Sequence, residues 1–399
     1  MSSLGSSATA INGGPESRFN QRLDWFIGSD YYTANIPLHF MFFNDATGVD
    51  VEEIKQEPSY IRFDPDNYKP GDKVVLFYAN ESYLNYPNPE EIDKEIYKIK
   101  TVISYYNIPL KDIILIASIY QHNNTFSKIG LKLGLSVDQI ILIDYYELQT
   151  FFFHKVLGCS YNSQFNSNAK KDLRFLFGKV HKPIRIIAMH QLWINGMLDN
   201  AVTGCLIEPS DVYDLASTIV DEYKVFYNVD VLKEDIIGML LKYRGSPDNV
   251  KYIYFKKENS IVSNHCPSYP YDHEILFGNT KVSLIPETFY FFNQSTFVTE
   301  KTFKTIYNHH PFVILGTPNF LKALHNKGYK TFSSVCNEEY DICRNDKKRL
   351  KLVIETTKQL MASTHDDIKL ITEHNFSQLN ENSMETIYRL NSSISKIFS

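Results

Sequence analysis

The stretch Glu287–Gly316 reads ETFYFFNQSTFVTEKTFKTIYNHHPFVILG and follows the apolar run SLIP at Ser283–Pro286. SLIP is a short buried-strand pattern closed by proline. Thr299 is a residue type that caps helices, and Glu300 falls in the first turn, where the macrodipole favours a carboxylate. Phe303, Ile306, Tyr307 and His310 recur at i, i+3, i+4 and i+7, which makes one buried face. Pro311 stops the helix, and Phe312–Leu315 ending at Gly316 reads as the next strand. The unit is strand, loop, helix, strand. A helix N-terminus at the carboxyl end of a parallel strand is where α/β proteins bind phosphate. Lys301 would add a point charge there, although an arbitrary Glu–Lys pair is more often a solvated surface pair.

The first half carries the same alternation. KVVLFYA (Lys73–Ala79), DIILIAS (Asp112–Ser118) and QIILID (Gln139–Asp144) are runs of buried-strand length, with helical patterns between them. This is the pattern of a doubly wound parallel sheet. Each strand ends in polar residues, among them Glu81, His122 and Asp144, and carboxyl ends of strands face the ligand crevice in such sheets. Residues 1–17 read as a disordered lead-in, and the polar segment Ser160–Asp172 as a linker. The expected division is an N-terminal Rossmann-like domain over 18–165 and a C-terminal one over 166–399. Leu173–Lys179 would open the second domain, and the sequence from about Asp199 to Pro270 is helical or mixed without a clear pattern. From Asp346 onward the pattern is helical, with the last helices expected to pack back towards the first domain.

A chain of 399 residues is longer than one hydrophobic core usually serves. Its 43% hydrophobic and 22% charged residues are ordinary for a globular protein, and 14% aromatic is high. A net charge of −5 and the lack of a basic, aromatic-interleaved stretch lean against a broad nucleic-acid footprint. The five scattered cysteines read as reduced thiols of a cytoplasmic protein, and no apolar run reaches membrane-spanning length. Asp64–Pro65–Asp66 is literally D-x-D, but Asn, Pro and Gly crowd it, so it reads as an Asx-rich turn rather than a metal site. No histidine pattern suits a metal, and no phosphate-binding glycine loop or nucleophile elbow is present. Lys179, Lys182 and Arg185 surround a strand-to-helix junction. Cations destabilise a helix N-terminus unless an anion sits there, and a guanidinium binds diphosphate bidentately. A solvated basic helix start accounts for them equally well.

Thr-Glu-Lys opening a helix, preceded by an acid near a strand end and followed by P-x-V-x-x-G, resembles the nucleotide-sugar signature of the family-ten fucosyltransferases. The later FLKALHNKGYKTFSSV, EEYD and NDKKRL resemble segments of related phage and giant-virus glycosyltransferase-like proteins. The resemblance is specific over Glu287–Phe332 and fainter over the rest of Leu173–Leu350. The loop between Glu287 and Glu300 is longer than the fucosyltransferase pattern, which leaves the donor sugar open. The resemblance implies a GT-B architecture, two Rossmann-like domains facing a cleft. It also implies inverting, metal-independent transfer of a sugar from a nucleoside diphosphate to a hydroxyl, without a further cofactor. The acceptor would be a glycan or a hydroxymethylated base in phage DNA, and the setting the host cytoplasm if the source is viral. Glu300 and Glu287 would accept from ribose hydroxyls, Lys301 and Arg185 would hold the diphosphate, and a glutamate in the first half would be the base. Glu81 fits that last role, with His122 and Asp144 as rivals. The alternative is a non-catalytic nucleotide- or glycan-binding relative.

Overall fold

The computed structural model describes residues 38–43, 68–69, 71–78, 89–118, 125–144, 146–148, 150–151, 166, 168–179, 182–206, 209–243, 277–294, 296–363 and 366–398. They form two four-stranded sheets, and every pairing is parallel. The first runs β1 (Leu38–Phe43), β2 (Lys73–Tyr78), β3 (Ile113–Ser118), β4 (Ile140–Ile143) in that spatial order. Val74, Val75, Leu76 and Ile113–Ile116 are buried without interruption, as continuous apolar runs require of a sheet covered on both faces. Helix α1 (Pro89–Tyr105) buries Ile96, Ile99 and Ile103, the stripe its spacing predicts, and α2 (Thr125–Leu133) packs beside it.

Among the described strands this sheet steps one way only, so the doubly wound order expected for the first half is not seen there. Alternation of strands and helices fixes a parallel sheet but not the order in which strands are added. β1, a strand beyond the three that the sequence pattern marks, pairs with β2.

The second sheet does reverse. Its strands are β5 (Lys171–Lys179), β6 (Ala201–Leu206), β7 (Thr280–Pro286) and β8 (Phe312–Leu315), in the order β6-β5-β7-β8. The chain leaves β5 for β6 on one side, then returns past β5 to β7 on the other. β5 and β7 therefore flank a topological switch point, outside whose carboxyl ends open α/β sheets bind ligands. β5 begins at Lys171, inside the segment read as linker, because Lys171 N donates to Asn279 O at 2.9 Å and Asp172 pairs with Lys281 at 2.8 Å. β6 lies in the stretch without a clear pattern, because AVTGCL is short and carries a glycine.

The helices of this half are α3 (Pro183–Ile194), α4 (Val212–Tyr227), α5 (Lys233–Tyr243), α6 (Glu300–Tyr307), α7 (Phe320–His325), α8 (Asp346–Ala362) and α9 (Asp366–Phe398). Steps from β5 to β6 and from β7 to β8 run in opposite directions, so right-handed crossovers put α3 and α6 on opposite faces. α8 packs on β7 and β8 beside α3, whereas α6 packs on β7 and against α9. α9 also reaches β4 of the first sheet. Among the described residues no helix is long and apolar enough to cross a membrane.

His310, the last residue of the predicted helical face, is buried between β7 and β8. Its Nε2 meets Thr280 O at 2.8 Å and its Nδ1 meets Ser283 Oγ and Pro311 O at 3.0 Å each. Burial pulls its pKa down to about 4, against the hydrogen bonds to Thr280 and with the Arg174 charge adding to the depression. A histidine depressed in the fold stabilises fully above its unfolded pKa of about 6.5, and that contribution is lost as pH falls towards about 4. The expected loss is about 3 kcal/mol. His310→Gln should flatten this part of the pH–stability curve. Urea melts on both sides of the window, showing equal slopes for the two proteins, would contradict a neutral buried His310.

Candidate functional site

Glu287 directly follows β7, and its amide donates to Leu315 O at 3.0 Å, extending the β7–β8 ladder by one residue. Its side chain is 3% exposed. A carboxylate so buried needs donors on both oxygens, and α6 supplies them. Thr299 Oγ1 donates to Oε2 at 2.7 Å and Thr302 Oγ1 to Oε1 at 2.6 Å, with the Thr288 and Thr299 amides at 3.3 and 3.4 Å. Thr299 is the N-cap of α6 and accepts from Lys301 N at 3.3 Å. The carboxylate thus sits at the positive end of the helix dipole. Nothing in local spacing announces these pairs, since the partners lie 12 and 15 residues apart.

Glu300 and Lys301 flank this tie at the half-buried opening of α6. Lys301 Nζ lies 3.5 Å from Glu300 Oε1 and donates to Thr299 Oγ1 at 3.1 Å. Burial opposes the Glu300 charge, but Lys301 and Lys304 outweigh it and hold the carboxyl below its ordinary value.

The basic turn reaches the same place from the other side. Lys182 is the N-cap residue of α3, with Pro183 in the first turn. Its Nζ donates to Thr288 O at 2.5 Å and lies 5.4 Å from the Phe289 ring centre. Arg185 is 6% exposed, and its Nη2 donates to Pro286 O and Glu287 O at 3.4 and 3.3 Å. Lys179 ends β5, and its side chain falls outside what the structure describes. Two segments about a hundred residues apart in sequence therefore meet on Pro286–Thr288. The α6 N-terminus uses the Glu287 side chain, and the α3 N-terminus uses the backbone carbonyls.

Beside that meeting point a cavity of about 230 Å³ opens between α3, α4 and the loop after β7. Lys182, Ile184 and Ile187 line one side, Glu222 and Phe226 of α4 another, and Thr288–Phe291 with Gln294 the third. It combines an aromatic lining with one cation and one carboxylate. Most ligand sites share that make-up, a largely apolar lining with few polar groups.

In the first half Glu81, His122, Asp64 and Asp66 lie outside the described residues. Asp144, after β4, pairs with Lys327, which also binds Glu147 Oε2 at 2.9 Å. Tyr329 OH and Asn382 Nδ2 donate to Glu147 Oε1, the latter at 2.8 Å. Burial pushes the Glu147 carboxyl up to about 7, against the Tyr329 and Asn382 hydrogen bonds, and pulls Lys327 down to about 7. Asp144 is thus drawn into a buried junction between β4, the turn after α7, and α9. Among the described residues no group of three or more His, Cys, Asp or Glu could hold a metal ion.

No protein-family model matches the chain, and no curated protein matches it. Among solved structures it is similar to a DNA-modifying β-glucosyltransferase determined with and without uridine diphosphoglucose. The identity is 11%, over 84% of this chain and 83% of that one, with a TM-score of 0.37. It is similar also to the N-terminal domain of trehalose-6-phosphate phosphatase from Candida albicans. There the identity is 10%, over 87% of this chain and 72% of that one, again with a TM-score of 0.37. Superpositions this loose carry no weight for fold or function.

The Glu287 tie predicts a stability effect before any ligand is considered. Glu287→Gln keeps the shape but replaces a charged acceptor facing two hydroxyls and a helix N-terminus. It should cost about 1–3 kcal/mol. A guanidinium melt indistinguishable from that of the unaltered protein would contradict the tie.

Proposed function

We propose that the chain is a glycosyltransferase that takes a sugar from a nucleoside diphosphate and transfers it to a hydroxyl, with the donor bound at the carboxyl ends of β5 and β7. The observation that carries this reading is the convergence on Pro286–Thr288 at the strand-order reversal. Two helix N-termini, Lys301, Lys182 and Arg185 gather around one short segment. Helix N-termini and fixed cations are suited to a diphosphate, whose charge grows as it leaves. The Thr-Glu-Lys resemblance supports the same placement.

In this reading Lys301 and the α6 N-terminus meet one phosphate, while Arg185 and Lys182 meet the other by releasing carbonyls they now hold. Glu300, kept ionised by Lys301 and Lys304, would accept from ribose hydroxyls. Glu287 would serve by fixing the helix opening, since α6 and its own loop occupy its oxygens. The cavity beside Lys182 would take the nucleoside end of the donor. The two sheets would belong to the two domains of a GT-B cleft, with the acceptor on the side of the first. Transfer would be a single in-line displacement that inverts the anomeric carbon. A base takes the acceptor proton while the diphosphate departs against the cations, without a metal. Glu81 is the proposed base and His122 its rival, because Asp144 is already engaged by Lys327. The acceptor would be a glycan or a hydroxymethylated base in nucleic acid.

A thermal-shift panel of nucleotide sugars finds the donor, because a ligand that binds only the native state raises its apparent stability. Lys301→Ala should then weaken nucleoside-diphosphate binding by about 1–3 kcal/mol. Unchanged affinity by calorimetry in a folded variant would remove Lys301 from the site. Turnover should persist in EDTA. Loss of turnover that manganese restores would overturn the metal-independent reading. Binding without any turnover would instead favour the non-catalytic relative.

A further inference from the structure

The loop that walls the cavity receives only part of its shape from itself. Gln294 Oε1 accepts from the Tyr290 and Phe291 amides at 2.9 and 3.0 Å, which closes a local turn. Much of the remaining anchoring comes from the first turn of α8. Arg349 is 0% exposed, and its guanidinium donates to Tyr290 O, to Cys343 O at 2.9 Å and to Gly316 O at 3.2 Å. It also lies 4.3 Å from the centre of the Tyr290 ring. Asp346, one turn earlier, accepts from Arg349 Nη2 at 2.6 Å and from the Phe292 amide at 3.1 Å. The Asp346 carbonyl accepts from Tyr290 OH at 2.6 Å.

A buried guanidinium is costly to desolvate, and an apolar pair of equal volume often stabilises as well or better. Core stability alone therefore gives a weak reason for this arrangement. Its geometry gives a better one. The planar fork spans Tyr290 in the cavity wall and Gly316 at the end of β8, on either side of the segment that carries α6. No single apolar side chain could hold both carbonyls at fixed positions.

We propose that Arg349 and Asp346 are positioning residues for the cavity. Together they fix the Tyr290–Gln294 wall and, through it, the affinity for whatever the cavity binds. The affinity part rests on the reading of the cavity as part of the donor site, but the wall itself can be tested without ligand. The proposal also gives a physical role to the Asn345–Leu350 stretch NDKKRL, which the donor-binding reading leaves unused.

The experiment combines amide hydrogen exchange on the ligand-free full chain with calorimetric titration of nucleoside diphosphates. It compares the unaltered protein with Asp346→Asn and Arg349→Lys. Asp346→Asn keeps the side-chain volume at a partly exposed position and serves if the buried lysine variant fails to fold. Exchange should accelerate selectively over 288–294 while the core strands β5 and β7 keep their protection. Nucleoside-diphosphate affinity should fall roughly tenfold to a hundredfold, the scale of one charge-assisted hydrogen bond lost when the wall loosens. If turnover is present, KM for the donor should rise more than kcat falls. Exchange that is unchanged over 288–294, or that rises equally throughout the second sheet, would overturn the proposal. So would unchanged affinity in a folded variant whose wall exchanges faster. If the unaltered protein binds no nucleoside diphosphate at all, the donor reading fails, and the exchange data alone decide the positioning role.

Discussion

The placement of α6 at the carboxyl end of the second sheet depends on one buried carboxylate. Glu287 directly follows β7, continues its ladder with β8, and must find hydrogen bonds for two oxygens that water cannot reach. Thr299 and Thr302 supply them from the first turn of α6, so the helix has to begin against the strand end. That single requirement places Lys301 and Glu300 at the carboxyl edge of the sheet. Because the Glu287 side chain turns to α6, its backbone carbonyl and those beside it are left for Arg185 and Lys182. The switch point then brings both helix openings to neighbouring strands. Local capping chemistry and strand order thus combine into one cationic corner.

A second buried polar array does different work. Lys327, in the turn after α7, gathers Asp144 and Glu147 from the end of the first sheet, and Asn382 of α9 closes the group. Gly328 beside it takes φ +86°, and a Cβ there would come within 2.7 Å of Gln378 on α9. The left-handed backbone of the turn favours glycine there, since a side chain would be strained at that φ and would also displace the end of Gln378. Fully satisfied networks of this kind fix geometry rather than add much net stability. This one holds β4, the α7 turn and α9 in register, which explains why Asp144 is not an open strand-end acid.

Much of this was legible in the chain itself. The Thr299 cap, the Phe303, Ile306 and Tyr307 face and the apolar β8 follow from capping chemistry and periodicity, which act within a few residues. The helix, however, ends at Tyr307, short of Pro311, and His310 leaves that face to bond with β7. The strands around Val74–Leu76 and Ile113–Ile116 were equally plain, because full burial leaves an unbroken apolar run. Strand order was not legible, and neither was β6, whose glycine and threonine weaken its pattern. The partners of Glu287 and the role of Arg349 were also hidden, since both depend on segments that meet only in the folded chain. Lysine and arginine at the start of α3 could be seen as a basic turn. Their convergence on the carbonyls after β7 could not.

The central claim is that the corner formed by α3, α6 and the end of β7 receives a diphosphate. The most direct test is a crystal structure of the full chain with a bound nucleoside diphosphate. The account predicts diphosphate oxygens within hydrogen-bond reach of Lys301 and of Arg185 or Lys182, with the nucleoside running into the cavity beside Phe226 and Tyr290. A diphosphate bound instead at the carboxyl ends of the first sheet, with this corner closed on its own carbonyls, would contradict it.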